Sequence, residues 1–282
     1  DGVASKTYTC ANLGPNTVTF RVTDAAGNFN ECTATVTVVD NIAPDAVCKN
    51  LSVNLSAPTL AASAFDNGST DNCAITTMLV DGAPSRTFTC ADMPTKTVTF
   101  RVLDARGNFD DCTATVTVTD NILPVAVCKN LTVNLSAPTI AASTIDNGSS
   151  DNCAITTRLI NGSASRTFSC ANLGANVVTL RVMDAAGNFA TCAATVTVVD
   201  DIPPVAVCRN VTVNLASPTL TAASVNNGST DNCGIASVLI DGAASRTFTC
   251  ANLGPNTVTL RVTDAAGNFN ECQATVTVAD NI

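Results

Sequence analysis

The sequence has no histidine and no tryptophan, one tyrosine, and only two glutamates, Glu31 and Glu271, in 282 residues. Without histidine or a G-x-S-x-G elbow, no side chain outside the acidic loops is suited to general acid–base work near neutrality, so an enzyme is the weakest reading. Aromatics at 4% argue against a sugar-stacking platform. No apolar run reaches the roughly 18 residues expected of a membrane-spanning helix, so no span is expected in this segment. Lys and Arg number 14 against 23 Asp and Glu, giving a net charge of -9. With no basic stripe to neutralise phosphates, nucleic acid is excluded as a partner, and an acidic surface attracts cations instead.

What the chain has in abundance is repetition. Cys10, Cys90, Cys170 and Cys250 share the context (T/S)-C-A, and Cys32, Cys112, Cys192 and Cys272 precede A-T-V-T-V. Cys48, Cys128 and Cys208 sit in A-V-C-(K/R)-N, and Cys73, Cys153 and Cys233 close a D-N-C loop. All 14 cysteines obey a period of 80 residues. A unit of that size has a marginal core, and dense cysteine without Cys-x-x-Cys or histidine points to disulfide staples in an oxidising, extracellular compartment. The first residues, DGVASKTYTC, match DGAPSRTFTC at 81–90, so the sequence opens inside a repeat and no leader is read there.

Within a unit the pattern is that of strands. T-K-T-V-T-F-R-V-L-D at 95–104 alternates with period two, placing Val98, Phe100 and Val102 inward and Thr97, Thr99 and Arg101 outward. The turn A-R-G-N at 105–108, with Gly107 and Asn108 available for positive φ, leads into Cys112, Ala114, Val116 and Val118 of the same inward parity. Upstream, 51–55, 59–65, 73–79 and 86–90 read as further short strands, the second with a bulge. The fold class expected is all-β: tandem immunoglobulin-like β-sandwiches with strands A, B, C, E, F and G in sheets A-B-E and C-F-G, disulfide-stapled, repeating every 80 residues. The domains are residues 1–40 (a partial repeat with strands E–G), 41–120, 121–200 and 201–282. Strands A–C of the first segment must come from further sequence or from a neighbouring subunit.

Inward parity of Cys112 on strand G, Cys73 on C and Cys90 on E favours Cys48 with Cys112 and Cys73 with Cys90. The same pairing repeats as Cys128–Cys192 with Cys153–Cys170, and Cys208–Cys272 with Cys233–Cys250. A competing pairing joins Cys90 to Cys112 and Cys48 to Cys73, with Cys10 bonded to Cys32.

The loop D-N-G-S-T-D-N-C at 66–73 returns at 146–153 and, as N-N-G-S-T-D-N-C, at 226–233. In a sandwich the B–C loop, the F–G turn and the incoming linker meet at one pole. That gathers Asp40, Asn41, Asp66, Asp71 and Asp104 in one unit, Asp120, Asp146, Asp151 and Asp184 in the next, and Asp200, Asp201, Asp231 and Asp264 in the last. Asn226 removes a carboxylate from the third loop while Asp201 adds one to its linker, keeping the number at four. Clustered carboxylates with amide oxygens and no nitrogen or sulfur ligand suit Ca2+. The competing view is that Asp, Asn and Gly merely turn the chain and cap their own backbone.

T-D-A-A-G-N-F-N-E-C-T-A-T-V-T-V-V-D-N-I-A-P-D-A-V-C-K-N at 23–50, taken with S-T-D-N-C at 69–73, resembles the hyalin-repeat (HYR) family, including the HYR-like repeats of secreted bacterial surface proteins. The resemblance covers every unit. It implies an immunoglobulin-like extracellular module associated with adhesion, in tandem, with no catalytic residue. The leading functional expectation is a structural one: an extracellular fibre, stalk or adhesin with Ca2+ at the junctions, whose partners are further copies of the same repeat in the same chain or in neighbouring subunits. The alternative is an accessory module binding a glycan or protein target for a larger adhesin or hydrolase, a reading that an aromatic exposed on one face would strengthen.

Overall fold

Alternating valines and threonines make the long strands, and the repeat length sets how often they recur. The computed structural model describes residues 2–281, and the chain divides into two units, Asp1–Ile122 and Leu123–Ile282. The first unit contains β1 (Gly14–Thr23), β2 (Phe29–Val38), β3 (Leu51–Asn54), β4 (Thr59–Ala61), β5 (Ile75–Val80), β6 (Ser85–Thr87), β7 (Thr95–Asp104) and β8 (Phe109–Thr119). The second contains β9 (Leu131–Asn134), β10 (Thr139–Ala141), β11 (Ile155–Ile160), β12 (Ser165–Thr167), β13 (Gly174–Asp184) and β14 (Phe189–Val199). It continues with β15 (Val211–Asn214), β16 (Thr219–Thr221), β17 (Ile235–Ile240), β18 (Ser245–Thr247), β19 (Gly254–Asp264) and β20 (Phe269–Ala279).

The same immunoglobulin-like sandwich is built from β3–β8, from β9–β14 and from β15–β20. Each has a four-stranded sheet, β3-β8-β7-β5 in the first, and a two-stranded sheet, β4-β6. Val98, Phe100, Val102, Ala114, Val116 and Val118 of β7 and β8 are buried, as are Phe65 and Phe88 next to the other layer. The Phe65 and Phe100 rings lie 6.4 Å apart. Burying a side chain such as Phe100 is worth about 1.5–3 kcal/mol, so a few of them with the disulfides hold a core this small.

The N-terminal hairpin has the strands but not the cover. β1 and β2 pair from Gly14↔Val38 to Thr23↔Phe29, the register of Gly254↔Val278 to Thr263↔Phe269 in the third sandwich. Residues 14–32 differ from residues 254–272 only in having Phe20 where the latter has Leu260. Yet Phe20 is 63% and Val22 60% exposed, while Leu260 and Val262 are fully buried.

Three details differ from the sequence reading. Strand A does not join B and E: β3 pairs in parallel with β8, Leu51↔Val116 to Asn54↔Thr119. Before it, Asp45 is bridged to Thr70 and Cys48 to Asp66, so the segment leaves the 66–70 loop, changes sheets and buries Val53 under the four-stranded one. The stretch 59–65 is a strand only as far as Ala61 and then a helical turn, Ala62–Phe65. Both Ala62 and Phe65 are buried, a spacing of three that a helical turn puts on one side and a strand would split between two faces. In the F–G turn Gly107 alone takes positive φ (+89°), and Asn108 is used as a hydrogen-bond donor instead.

Candidate metal centre

The turn after β7 is shaped by its aspartate. Asp104 Oδ1 accepts the N–H groups of Arg106 and Asn108 at 2.8 and 2.9 Å, and its Oδ2 accepts Asn108 Nδ2 at 2.7 Å. Burial works to raise the Asp104 pKa, but the Asn108 side chain and the turn's N–H groups outweigh it and hold the carboxyl below its ordinary value. Asp24 makes the same turn in the exposed N-terminal hairpin, accepting Ala26, Asn28 and the Asn28 amide. This turn therefore forms without help from any neighbouring loop.

The loop after the helical turn holds Asp71, whose Oδ2 accepts the N–H groups of Cys73 and Ala74 at 2.8 and 2.7 Å. The linker brings Asp40 between the two. Asn72 Nδ2 donates to Asp40 Oδ1 at 3.2 Å, and Asn108 Nδ2 to the Asp40 carbonyl at 3.2 Å. Asp40, Asp71 and Asp104 each present a carboxylate oxygen within 4.8 Å of the others. Asp40 Oδ2 and Asp71 Oδ1 are sealed from solvent and accept no hydrogen bond. Local turn chemistry explains the other oxygens of these two carboxylates and leaves those unexplained.

The second unit repeats the arrangement. Asp200, Asp231 and Asp264 converge within the same 4.8 Å, and Asp231 Oδ1 is again buried and unpaired. Asn232 donates to Asp200 Oδ1 at 3.1 Å and Asn268 to the Asp200 carbonyl at 2.9 Å. Of the remaining expected ligands, Asp120 lies in the first unit, its Oδ1 accepting the N–H of Ile122. In the second unit Asp151 and Asp184 make the loop and turn contacts of Asp71 and Asp104.

Four expected ligands stand apart from the clusters. Asp66 Oδ1 accepts the Ser69 N–H at 2.9 Å, a loop cap that holds its pKa down, and Asp146 does the same for Ser149 while pairing with Arg158 at 2.6 Å. Asn226 makes the equivalent bond to Ser229 at 3.0 Å, so an amide oxygen serves where the other loops have a carboxylate. Asp201 turns to Ser136, accepting its N–H and hydroxyl. The exchange of charge between positions 226 and 201 is thus two unrelated substitutions. Asn41 is exposed in the linker.

The disulfides correct the pairing. Cys48–Cys112, Cys128–Cys192 and Cys208–Cys272 form as expected, with Cα atoms 5.9–6.2 Å apart. Cys73, however, bonds Cys10 and Cys170 bonds Cys233, each with Cα atoms 5.3 Å apart, and Cys32 and Cys250 are free and exposed. Neither Cys73–Cys90, Cys153–Cys170 and Cys233–Cys250 nor the competing set is made; Cys90 and Cys153 are also disulfide-bonded.

Strand direction explains this. The stretch after β4 and the end of β7 both lead to the carboxylate cluster; β6 is antiparallel to β4 and β5 to β7, so β5 and β6 both run away from it. Cys73 stays at the cluster while Cys90 is carried to the far end. The spacing of 63 between (T/S)-C-A and D-N-C was readable in the sequence, but inward parity alone concealed it. The Cys10–Cys73 bond lies against the cluster, with Cys10 Sγ 3.1 Å from the Asn72 carbonyl.

No family model matches the chain, and no curated protein does. Its likeness is to solved structures. A three-immunoglobulin segment of titin, domains I67–I69 in an E-to-A variant, is 14% identical and aligns over 84% of this chain and 99% of its own, with a TM-score of 0.44. The extracellular domain of protocadherin γB4 is 13% identical over 95% of this chain and 54% of its own, with a TM-score of 0.32. None of these comparisons shows the hyalin-repeat family.

Proposed function

We propose that this chain is a structural part of an extracellular fibre, stalk or adhesin, made of tandem sandwiches with boundaries near 41, 121 and 201, in which calcium and a disulfide together tie the linkers at Asp40 and Asp200 to the sandwiches that follow them. The observation that carries the reading is the meeting of a linker aspartate with two loop aspartates of the following sandwich, Asp40 with Asp71 and Asp104, around buried oxygens that nothing else satisfies. Calcium takes six to eight oxygens at 2.3–2.6 Å and tolerates irregular geometry, so three carboxylates completed by water and backbone oxygens suit it. Bound there, it neutralises the carboxylates and ties the linker to the sandwich. The oxidised cysteines suit an extracellular setting, and the HYR-like motifs agree with it.

Isothermal titration of chelator-treated chain with Ca2+ tests the ion: saturable binding is expected, and heats no larger than dilution overturn it. Electron microscopy of native assemblies with and without chelator tests the architecture, with straightness lost on chelation as the expected result. A second reading, binding of a glycan or protein target, is favoured by one recurring feature. Phe29, Phe109, Phe189 and Phe269 are each about half exposed on the F–G hairpins. Their rings, however, already lie under Arg21, Arg101, Arg181 and Arg261 at 3.9–4.1 Å.

A further inference from the structure

One arginine of this chain lacks the partner that its three counterparts have. On the outer face of the F–G hairpins an arginine stands in register with an acid: Arg21 with Glu31, Arg101 with Asp111 and Arg261 with Glu271. In each of them the guanidinium rests on the hairpin phenylalanine, and its Nε–H donates to the carboxylate at 2.6–2.7 Å. In the β13–β14 hairpin the residue in register with Arg181 is Thr191. The guanidinium still lies on its ring, 3.9 Å from the centre of Phe189. Its Nε, however, is sealed from solvent and donates to no acceptor among the described residues. Two further positions of the same outer face are aliphatic only here. Ala193, two residues beyond Thr191 on β14, stands where the other hairpins have Thr33, Thr113 and Gln273, and Val177 on β13 where they have Thr17, Thr97 and Thr257. Both are exposed, Val177 at 74%.

A charged group's N–H that is buried without an acceptor is costly, and the three sister hairpins show which acceptor matches it: a carboxylate oxygen edge-on to the guanidinium. We propose that the outer face of β13 and β14 docks an acidic segment of a partner polypeptide. An Asp or Glu of that segment gives Arg181 the carboxylate that Thr191 does not, entering over the exposed Thr191, and its aliphatic neighbours cover Ala193 and Val177. Charge and surface chemistry select this occupant. A uronic sugar also carries a carboxylate, but sugar rings settle on aromatic faces, and here the guanidinium already covers Phe189 while the open positions beside it are aliphatic. A second copy of this chain brings a net charge of -9 against another -9, which opposes association. Its acids at the matching positions, Glu31, Asp111 and Glu271, are held by their own arginines.

This inference deepens the second reading above, a protein target, and does not rest on calcium. The test titrates the isotope-labelled full chain at neutral pH with a blocked V-E-V peptide, and separately with V-Q-V and with glucuronate, following the arginine Nε–H resonances by NMR. The Arg181 resonance is expected to move saturably with V-E-V and to stay with V-Q-V, while those of Arg101 and Arg261 stay with both. Thr191→Glu gives Arg181 an internal acceptor of the kind that Glu271 gives Arg261; it is expected to keep the fold and to weaken V-E-V binding by on the order of tenfold or more. Arg181→Lys, which keeps the charge and loses the planar fork, is expected to weaken it as well. Equal responses to V-E-V and V-Q-V, undiminished binding in Thr191→Glu, saturation by glucuronate at lower concentration than by V-E-V, or self-association in sedimentation that Thr191→Glu abolishes would each overturn the proposal. Calcium titration of the same samples reads the proposed function separately, because neither substitution alters an aspartate of the clusters.

Discussion

Replacing Asp231 by asparagine separates the two roles this carboxylate plays. Its Oδ2 accepts the N–H groups of Cys233 and Gly234 at 2.8 and 2.9 Å, and the amide oxygen of asparagine can do the same. Its buried Oδ1 belongs to the cluster, where an amide NH2 adds nothing for a cation and removes a negative charge. Carboxylate oxygens within 4.8 Å of one another repel by at least about 0.9 kcal/mol in water and about 3.5 kcal/mol at an effective dielectric of about 20. Asp231 takes part in two such pairs, so without metal D231N relieves about 2 kcal/mol or more. At a hundredfold excess of calcium over its Kd, the occupied site adds about 2.7 kcal/mol to the native chain and nothing to the variant. For a unit of this size about 2–4 °C accompanies each kcal/mol, so the transition of the second unit is expected to rise by roughly 5–10 °C on adding calcium. Calorimetry should therefore show the two proteins changing order: D231N equal or more stable in chelator, less stable in calcium. An equal loss in both conditions would mean that Asp231 only caps its loop, and an unmoved native transition would mean that no ion binds.

Other outcomes follow from the same geometry. Replacing Cys170 and Cys233 together by serine opens a loop of sequence separation 63 and is expected to cost up to about 4 kcal/mol by the chain-entropy estimate, without weakening calcium binding; denaturant titration and calorimetric titration check the two halves. Leu260→Ala should cost about 2–5 kcal/mol, whereas Phe20→Ala, at the equivalent but exposed position, should change stability by less than about 0.5 kcal/mol. Asp66 is held below the ordinary 3.8 by the Ser69 N–H and hydroxyl; for Asp146 burial opposes, but Ser149 and Arg158 prevail. Groups with depressed values stabilise fully above pH 3.8 and progressively less as the pH falls through their folded-state values. Urea midpoints should hold steady above about pH 5 and drop below 3.8.

Much of this molecule was legible because period-two alternation survives into the fold. Val98, Phe100 and Val102 point inward as their parity requires, and the repeat of 80 residues recurs as a repeat of sheets. Where the reading failed, direction or local chemistry overruled parity. Cys73 and Cys90 share inward parity but sit at opposite ends of a sandwich, because strand polarity cannot be read from alternation. Asp66 and Asp71 look equivalent in D-N-G-S-T-D-N-C, yet one closes the loop on Ser69 and the other faces the linker. No spacing rule separates them; the permissive signal was position 226, where asparagine replaces aspartate and keeps the cap. Strand A changed sheets for a reason invisible in its own residues, namely the vacant edge of β8.

The interleaving of the disulfides has a mechanical consequence. Cys48 lies between Cys10 and Cys73 in sequence, and Cys73 lies between Cys48 and Cys112, so the two closed loops overlap, as do those of Cys170–Cys233 and Cys208–Cys272. A pull applied at Cys10 and Cys112 is borne by the sulfur bonds and by the short stretch between Cys48 and Cys73. Fully extended, that stretch reaches about 90 Å, against about 350 Å for the whole intervening chain. Even with every hydrogen bond of the sheets broken, the strand of protein yields only a fraction of its contour length before covalent bonds take the load.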